Sequence, residues 1–270
     1  MLDVGHPSGC GGRICARRVA GRMTDFTYDA FSIPRERIFG DLATMSSLGT
    51  KVVRLEWTGV SMWDAIEPIP GAFRFDLLDR VMEAATDNDL KVVLPISIVP
   101  PKWAQAICMT DGVGRRPSSP LSQRVRVFLC YGDHRTRIMA ERFVRLTVRR
   151  YKEHPATHGW NACDDLEGLD DADCFNAYLV RGFESWLKTE YGSLAQVHDM
   201  WEDMRATPQD SDCLTTYPVC LSTKATQDWG NFAAQYTEEI VQWLREVVRS
   251  VDSNHVMNAS QYCAEDGNVR

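Results

Sequence analysis

The chain lacks most of the features that assign a function at sight. No apolar run approaches the ~18 residues of a membrane-spanning helix, so no membrane partner is expected. Basic residues are in deficit: 30 Lys and Arg stand against 37 Asp and Glu, which leaves no electrostatic footprint for nucleic acid. The nine cysteines contain no Cys-x-x-Cys pair, which argues against a zinc site built from thiolates. There is no internal repeat. Arg13, Arg17, Arg18 and Arg22 lie in glycine-rich sequence with no apolar stretch behind them, unlike a secretory signal. A cytoplasmic location with reduced thiols is the resulting expectation. Residues 1–22 also lack a hydrophobic period and are expected to form a poorly ordered arm, leaving residues 23–270 as one domain.

What is present alternates between strand-like and helix-like segments, the pattern of βαβ units and a parallel sheet. Lys51-Val52-Val53-Arg54-Leu55-Glu56, Lys91-Val92-Val93-Leu94, Ala156 to Cys163 and Val256-Met257-Asn258-Ala259 read as strands, with an earlier one around Phe26 to Phe31. Helical spacing follows Asp76, which is expected to cap its helix, and recurs from Arg137 to Tyr151, through Leu179, Phe183 and Leu187 up to Tyr191-Gly192, and from Trp229 to Val251. Thr110 to Gln123 and Thr207 to Gln227 read as loops. With 270 residues there is room for one α/β barrel of roughly 250.

The most informative stretch is Gly159-Trp160-Asn161-Ala162-Cys163-Asp164-Asp165-Leu166-Glu167-Gly168. A short buried strand here runs directly into carboxylates, as happens where an α/β barrel delivers acids to its rim. Paired carboxylates at such a rim carry out glycoside hydrolysis. The plainer reading, that Asp164, Asp165 and Glu167 are solvated loop acids, stands beside it.

Several segments in order resemble the catalytic barrel of glycoside hydrolase family 42, the β-galactosidase type. They are Arg54 with Trp63-Asp64-Ala65-Ile66-Glu67-Pro68 and Gly71-Ala72-Phe73-Arg74-Phe75-Asp76, then Lys91 to Leu94 with Pro100-Pro101-Lys102-Trp103. Arg149 to Pro155 leading into Gly159-Trp160, Phe183 to Leu187 with Glu190 to Leu194, and Asp228-Trp229 through His255 continue the likeness, which spans about Phe26 to Ser260.

The resemblance implies an incomplete (β/α)8 TIM-type barrel with about five βα units, ending at Arg270 just past strand five. It puts the family's Asn-Glu pair on Asp164-Asp165, with Asp165 as general acid/base. Asp165 is one methylene shorter than glutamate, about 1.5 Å of reach, and a misplacement of about 1 Å can cost ~100-fold in rate. Asp164 can accept a hydrogen bond from a sugar hydroxyl but cannot donate one. Glu167 is the substitute if the loop folds back. Arg54 and Arg126 fall on sugar-binding arginines, with Glu56 as a further substrate contact; the plainer reading of Arg54 is a salt bridge to Glu56 or to the Asp164 cluster.

Retaining hydrolysis also needs a nucleophilic carboxylate about 5–5.5 Å from the acid. In the family it comes from strand seven, so it is expected to be missing here; Glu265 does not match its place. Cys130 and Cys174 fall on two of four zinc-binding cysteines known in some members, but Asn176 and Leu179 occupy the other two, so neither metal nor cofactor is expected. Two open sheet edges imply a homo-oligomer or a partner chain that covers them. Two functions are compatible with this: a glycosidase acting on a carbohydrate substrate with degraded machinery, or a non-catalytic relative that at most binds sugar.

Overall fold

One sheet carries the fold, and its strands lie in the order in which the chain lays them down. A computed structural model describes residues 15–19, 22–28, 30, 33–55, 62–96, 101–107, 133–164, 177–201 and 223–260. The strands are β1 (Cys15–Val19), β2 (Arg22–Tyr28), β3 (Val52–Leu55), β4 (Lys91–Pro95), β5 (Thr157–Asp164) and β6 (Val256–Ser260). Between them come α1 (Arg35–Ser47), α2 (Met62–Ile66), α3 (Asp76–Asp87), α4 (His134–Tyr151), α5 (Ala177–Tyr191), α6 (Leu194–Trp201) and α7 (Thr223–Arg249).

β1 and β2 pair antiparallel, whereas β2 to β6 are parallel throughout. Parallel neighbours need crossovers, and crossovers are right-handed. Since the strand order never reverses, every crossover returns on the same side of the sheet. That winding builds a barrel wall, whereas a doubly wound sheet has a switch point where the order turns back. The architecture is therefore α/β, an incomplete TIM-type barrel with five parallel strands.

The register shows which sheet face the helices cover. Val53 pairs with Val92 and Leu94 with Trp160, so these residues share one face, and all four are fully buried. Arg54 pairs with Val93 and Val93 with Gly159, which puts them on the other face. There Val52, Arg54 and Val93 are only half-buried. Burying apolar area contributes about 25 cal/mol per Å², and most of it comes from the helix-covered face.

Local sequence accounts for the helices. In α3, Leu78, Val81, Met82 and Ala85 recur at helical spacing and are all buried. Asp76, expected as the cap, is the first helical residue instead; Phe75 precedes it with no side-chain cap, and Asp76 acts as an acid in the first turn. α4 starts three residues before the expected Arg137 because Asp133 caps it, accepting a hydrogen bond from the Arg135 N–H at 2.9 Å. α5 ends at Gly192, whose φ of 80° is the left-handed conformation glycine adopts without steric cost. Asp228, in α7, is fully buried and binds α5 and α6 to its own helix. It accepts from Tyr191 Oη at 2.8 Å, Trp201 Nε1 at 3.0 Å and Lys224 Nζ at 2.7 Å.

Three expectations need correction. Cys15–Val19, inside the stretch expected to be an unordered arm, forms β1. Its backbone groups are satisfied by β2, a pairing that hydrophobic periodicity does not reveal. The outer edge of β2 is therefore paired, and the sheet ends at β1 and β6. Residues 223–227, expected in a loop, belong to α7, where Ala225 is buried in the core.

Candidate active site at the strand ends

The C-terminal ends of the parallel strands are Tyr28, Leu55, Pro95, Asp164 and Ser260. In barrels of this kind that rim carries the chemistry. Arg54, one residue from the end of β3, belongs to the face the helices leave uncovered. Asn161 belongs to the same face, two residues on from Gly159, and is fully buried. It pairs with Pro95 on one side and with Asn258 on the other. Its main-chain carbonyl accepts the Ile96 N–H at 2.8 Å, so β4 and β5 stay hydrogen-bonded up to the rim.

Beyond Asn161 the ladder with β6 slips. Asn161 pairs with Asn258 but Asp164 pairs with Ser260, so β5 spends three steps where β6 spends two. This is a β-bulge, a device that bends a strand and re-aims the residues beyond it, common beside active sites. Asp164 is thus the last residue of β5, at the rim. Asp165, Glu167, Glu56 and Arg126 lie outside the described residues, as do Cys130, Cys174 and the loop Thr110 to Gln123. Of the residues singled out from sequence, the structure brings Arg54 and Asp164 to one rim.

The sequence reading missed Asn161. Its only signal was its position in an alternating strand, two residues after a glycine. It also passed over Glu67, a fully buried carboxylate just after α2. Glu67 accepts from Trp63 Nε1 at 2.7 Å and from the Gly71 N–H at 2.6 Å, and forms an ion pair with Arg142 of α4. Its main-chain oxygen accepts Trp103 Nε1 at 2.7 Å. Asp64 accepts the Lys102 N–H at 2.8 Å. These bonds lace the segment after β3 to the segment after β4, the two connections that leave the rim beside Arg54. Trp63 in turn stacks on Phe143, with ring centroids 5.1 Å apart.

The opposite end of the sheet is held by Asp252. Trp160 Nε1 donates to its carboxylate at 2.8 Å, as do the Asn254 N–H at 2.9 Å and the His255 ring at 2.8 Å. Burial alone would raise its pKa. The donors from Asn254, Trp160 and His255 outweigh that effect and hold it down to about 2.

A parallel, singly wound barrel wall, with Arg54 near the end of β3 and Asp164 ending β5, defines the class as an α/β-barrel fold. Residues 27–264 match the sequence profile of glycoside hydrolase family 42, described as beta-galactosidase, and the chain belongs to that family. Among curated relatives, the beta-galactosidase BgaH of Haloferax lucentense is 29% identical over 62% of this chain and 25% of its own length. BgaA of Clostridium cellulovorans is 26% identical over 77% of this chain and 32% of its own. The chain therefore spans about a quarter to a third of these relatives.

Solved structures agree on the fold. The beta-galactosidase of the Antarctic haloarchaeon Halorubrum lacusprofundi superposes with a TM-score of 0.68 at 22% identity, covering 88% of this chain and 36% of that one. That of the psychrophilic Marinomonas ef1 gives 0.67 at 20% identity, covering 88% and 37%.

Proposed function

We propose that this chain carries the acid/base side of a β-galactosidase-type site, with Asp165 as the proton donor to the leaving oxygen of a terminal β-galactoside and Asp164 beside it. Arg54 binds sugar hydroxyls from the adjacent strand, with Glu56, Arg126 and Glu167 as further contacts from the loops. The observation that carries this is the common rim: Arg54 near the end of β3 and Asp164 at the end of β5 border the sheet face the helices do not cover. Family membership and the names of the relatives support the choice of substrate class. The nucleophile belongs, by resemblance, to a seventh strand, outside the five parallel strands of this chain's described residues.

The test is release of galactose from an alkyl β-galactoside, whose poor leaving group needs a donated proton. Slow turnover that falls by about 100-fold in Asp165→Ala is the expected result. Equal turnover in both proteins overturns the role of Asp165.

A second reading is favoured by Asp164-Asp165 standing where the family has Asn-Glu: a non-catalytic relative that binds carbohydrate. It requires galactoside binding that survives in Asp165→Ala together with no turnover in either protein.

A further inference from the structure

The turn that leads into β5 is closed by a ring nitrogen. From the end of α4 the chain passes through Lys152, Glu153, His154, Pro155 and Ala156 before β5 begins at Thr157. Main-chain bonds hold this turn: the His154 N–H donates to the Tyr151 carbonyl and the Thr157 N–H to the His154 carbonyl, both at 2.9 Å. The Thr157 hydroxyl donates to the Tyr151 carbonyl as well, at 2.7 Å. The Pro155 carbonyl accepts Lys91 Nζ at 2.6 Å, and the Ala156 carbonyl accepts the Val92 N–H at 2.7 Å, beside the start of the β4–β5 ladder. The N–H of Ala156, a buried residue, donates to His154 Nδ1 at 3.2 Å.

A side chain that accepts the N–H two residues on is ordinarily asparagine or aspartate, or more weakly serine. Those oxygens still accept near neutral pH. Here the acceptor is a lone pair that a proton can occupy. Accepting at Nδ1 requires the neutral ring, with its own proton on Nε2. An imidazolium donates from both nitrogens, so protonation sets two donors face to face.

We propose that His154 is an acid-released latch at the foot of β5: the neutral imidazole closes the 152–156 turn, and protonation of Nδ1 opens it and frees the Ala156 N–H. The surroundings favour the neutral ring. Burial disfavours the charged form and outweighs the pull of Glu83 and Asp79 from α3, so the pKa lies below the ordinary imidazole value of 6.5. Asp79 is itself engaged by Arg150 and by the Tyr151 hydroxyl of α4, and the Tyr151 ring packs edge-on to His154 at 6.4 Å. From β4 the Lys91 ammonium is bound within the turn, and Lys152 and Glu153 beside His154 lie 3.8 Å from each other. The closed turn leaves Nδ1 unprotonated, whereas an opened turn takes up a proton below 6.5. Opening is therefore favoured as pH falls from that value. Asp252, held down to about 2, stays charged throughout this range.

The experiment follows the full chain from about pH 8 to about pH 5, reading the histidine ring nitrogens by NMR and amide exchange at Ala156. Neutral His154 should carry its proton on Nε2. Protection of the Ala156 N–H, corrected for intrinsic exchange, should stay level at higher pH and then fall by up to about tenfold per pH unit below the ordinary imidazole value. A proton on Nδ1 of the neutral ring overturns the proposal, as does a ring that titrates while Ala156 stays protected. His154→Asn separates the latch from general loosening in acid, because an amide oxygen two residues before Ala156 accepts its N–H without titrating. Protection in that variant should stay level over the same range; an acid loss equal to the parent's overturns the role of His154.

Discussion

Trp160 and Asp252 sit 92 residues apart in sequence and are joined by a 2.8 Å hydrogen bond from the indole N–H to the carboxylate. Trp160 is in β5 and Asp252 in the turn between α7 and β6, so one bond fastens two neighbouring strands to the helix that connects them. Because the folded pKa of Asp252 is about 2, below the ordinary carboxyl value of 3.8, its contribution to stability is complete above about pH 4. It is lost as pH falls from there towards 2. Asp252→Asn should lower stability at pH 7 by about 1–2 kcal/mol and leave a shallower acid limb. Urea unfolding at a series of pH values reads both; parallel acid limbs for the two proteins would contradict the assignment.

Glu67 is a carboxylate with no solvent contact, held by Trp63, the Gly71 amide and Arg142. Removing it strands a partly buried guanidinium and an indole donor. Glu67→Ala should cost roughly 3 kcal/mol, seen as a lower thermal midpoint. It should also change tryptophan fluorescence, since the Trp63 indole loses its carboxylate acceptor. A midpoint within the error of the parent would show that the ion pair carries no weight.

Gly159 in β5 stands opposite Val256 in β6. A Cβ there would stand 2.6 Å from the carbonyl oxygen of Val256 and 2.8 Å from its Cγ2. The first obstacle is backbone and cannot swing aside. Gly159→Ala should destabilise by about 1–3 kcal/mol and reduce hydrogen-exchange protection in β6. Alanine accepted at full stability would mean that the two strands are not in this register.

Asp164-Asp165 can be returned to the family's pair. If these residues form the acid/base site, the Asp164→Asn/Asp165→Glu variant regains the missing methylene of reach and a donor for a sugar hydroxyl. Galactoside turnover should then rise by up to ~100-fold, with binding strengthened in step. Kinetics no faster than the parent's would remove these two positions from the chemistry.

Much of the fold was legible in the chain itself. The strands at Val52, Lys91, Thr157 and Val256 were visible as short apolar runs, because a strand buried within a parallel sheet needs few polar positions. The long α7 showed as an apolar stripe. Two helices were less visible: α1, whose apolar face is weak, and α2, only five residues long. β1 was invisible because basic residues in glycine-rich sequence mimic a solvated tail, and only the edge of β2 gives them partners. At the candidate site, Asp164 was marked by the acid cluster. Asn161 was not, since a lone asparagine inside a strand carries no local sign of which face it takes.

Local periodicity by itself determined where the central parallel strands and the longer helices lie and, with the ordered motifs, which family they build; those properties depend on neighbours a few residues apart. The tertiary structure alone decided which sheet face stays uncovered, how the bulge after Asn161 brings Asp164 to the rim opposite Ser260, and what covers the β2 edge. The partners of buried Glu67, Asp228 and Asp252 belong there too. Each of these includes a pairing between residues distant in sequence. Such contacts form only when loop closure and burial have been satisfied together.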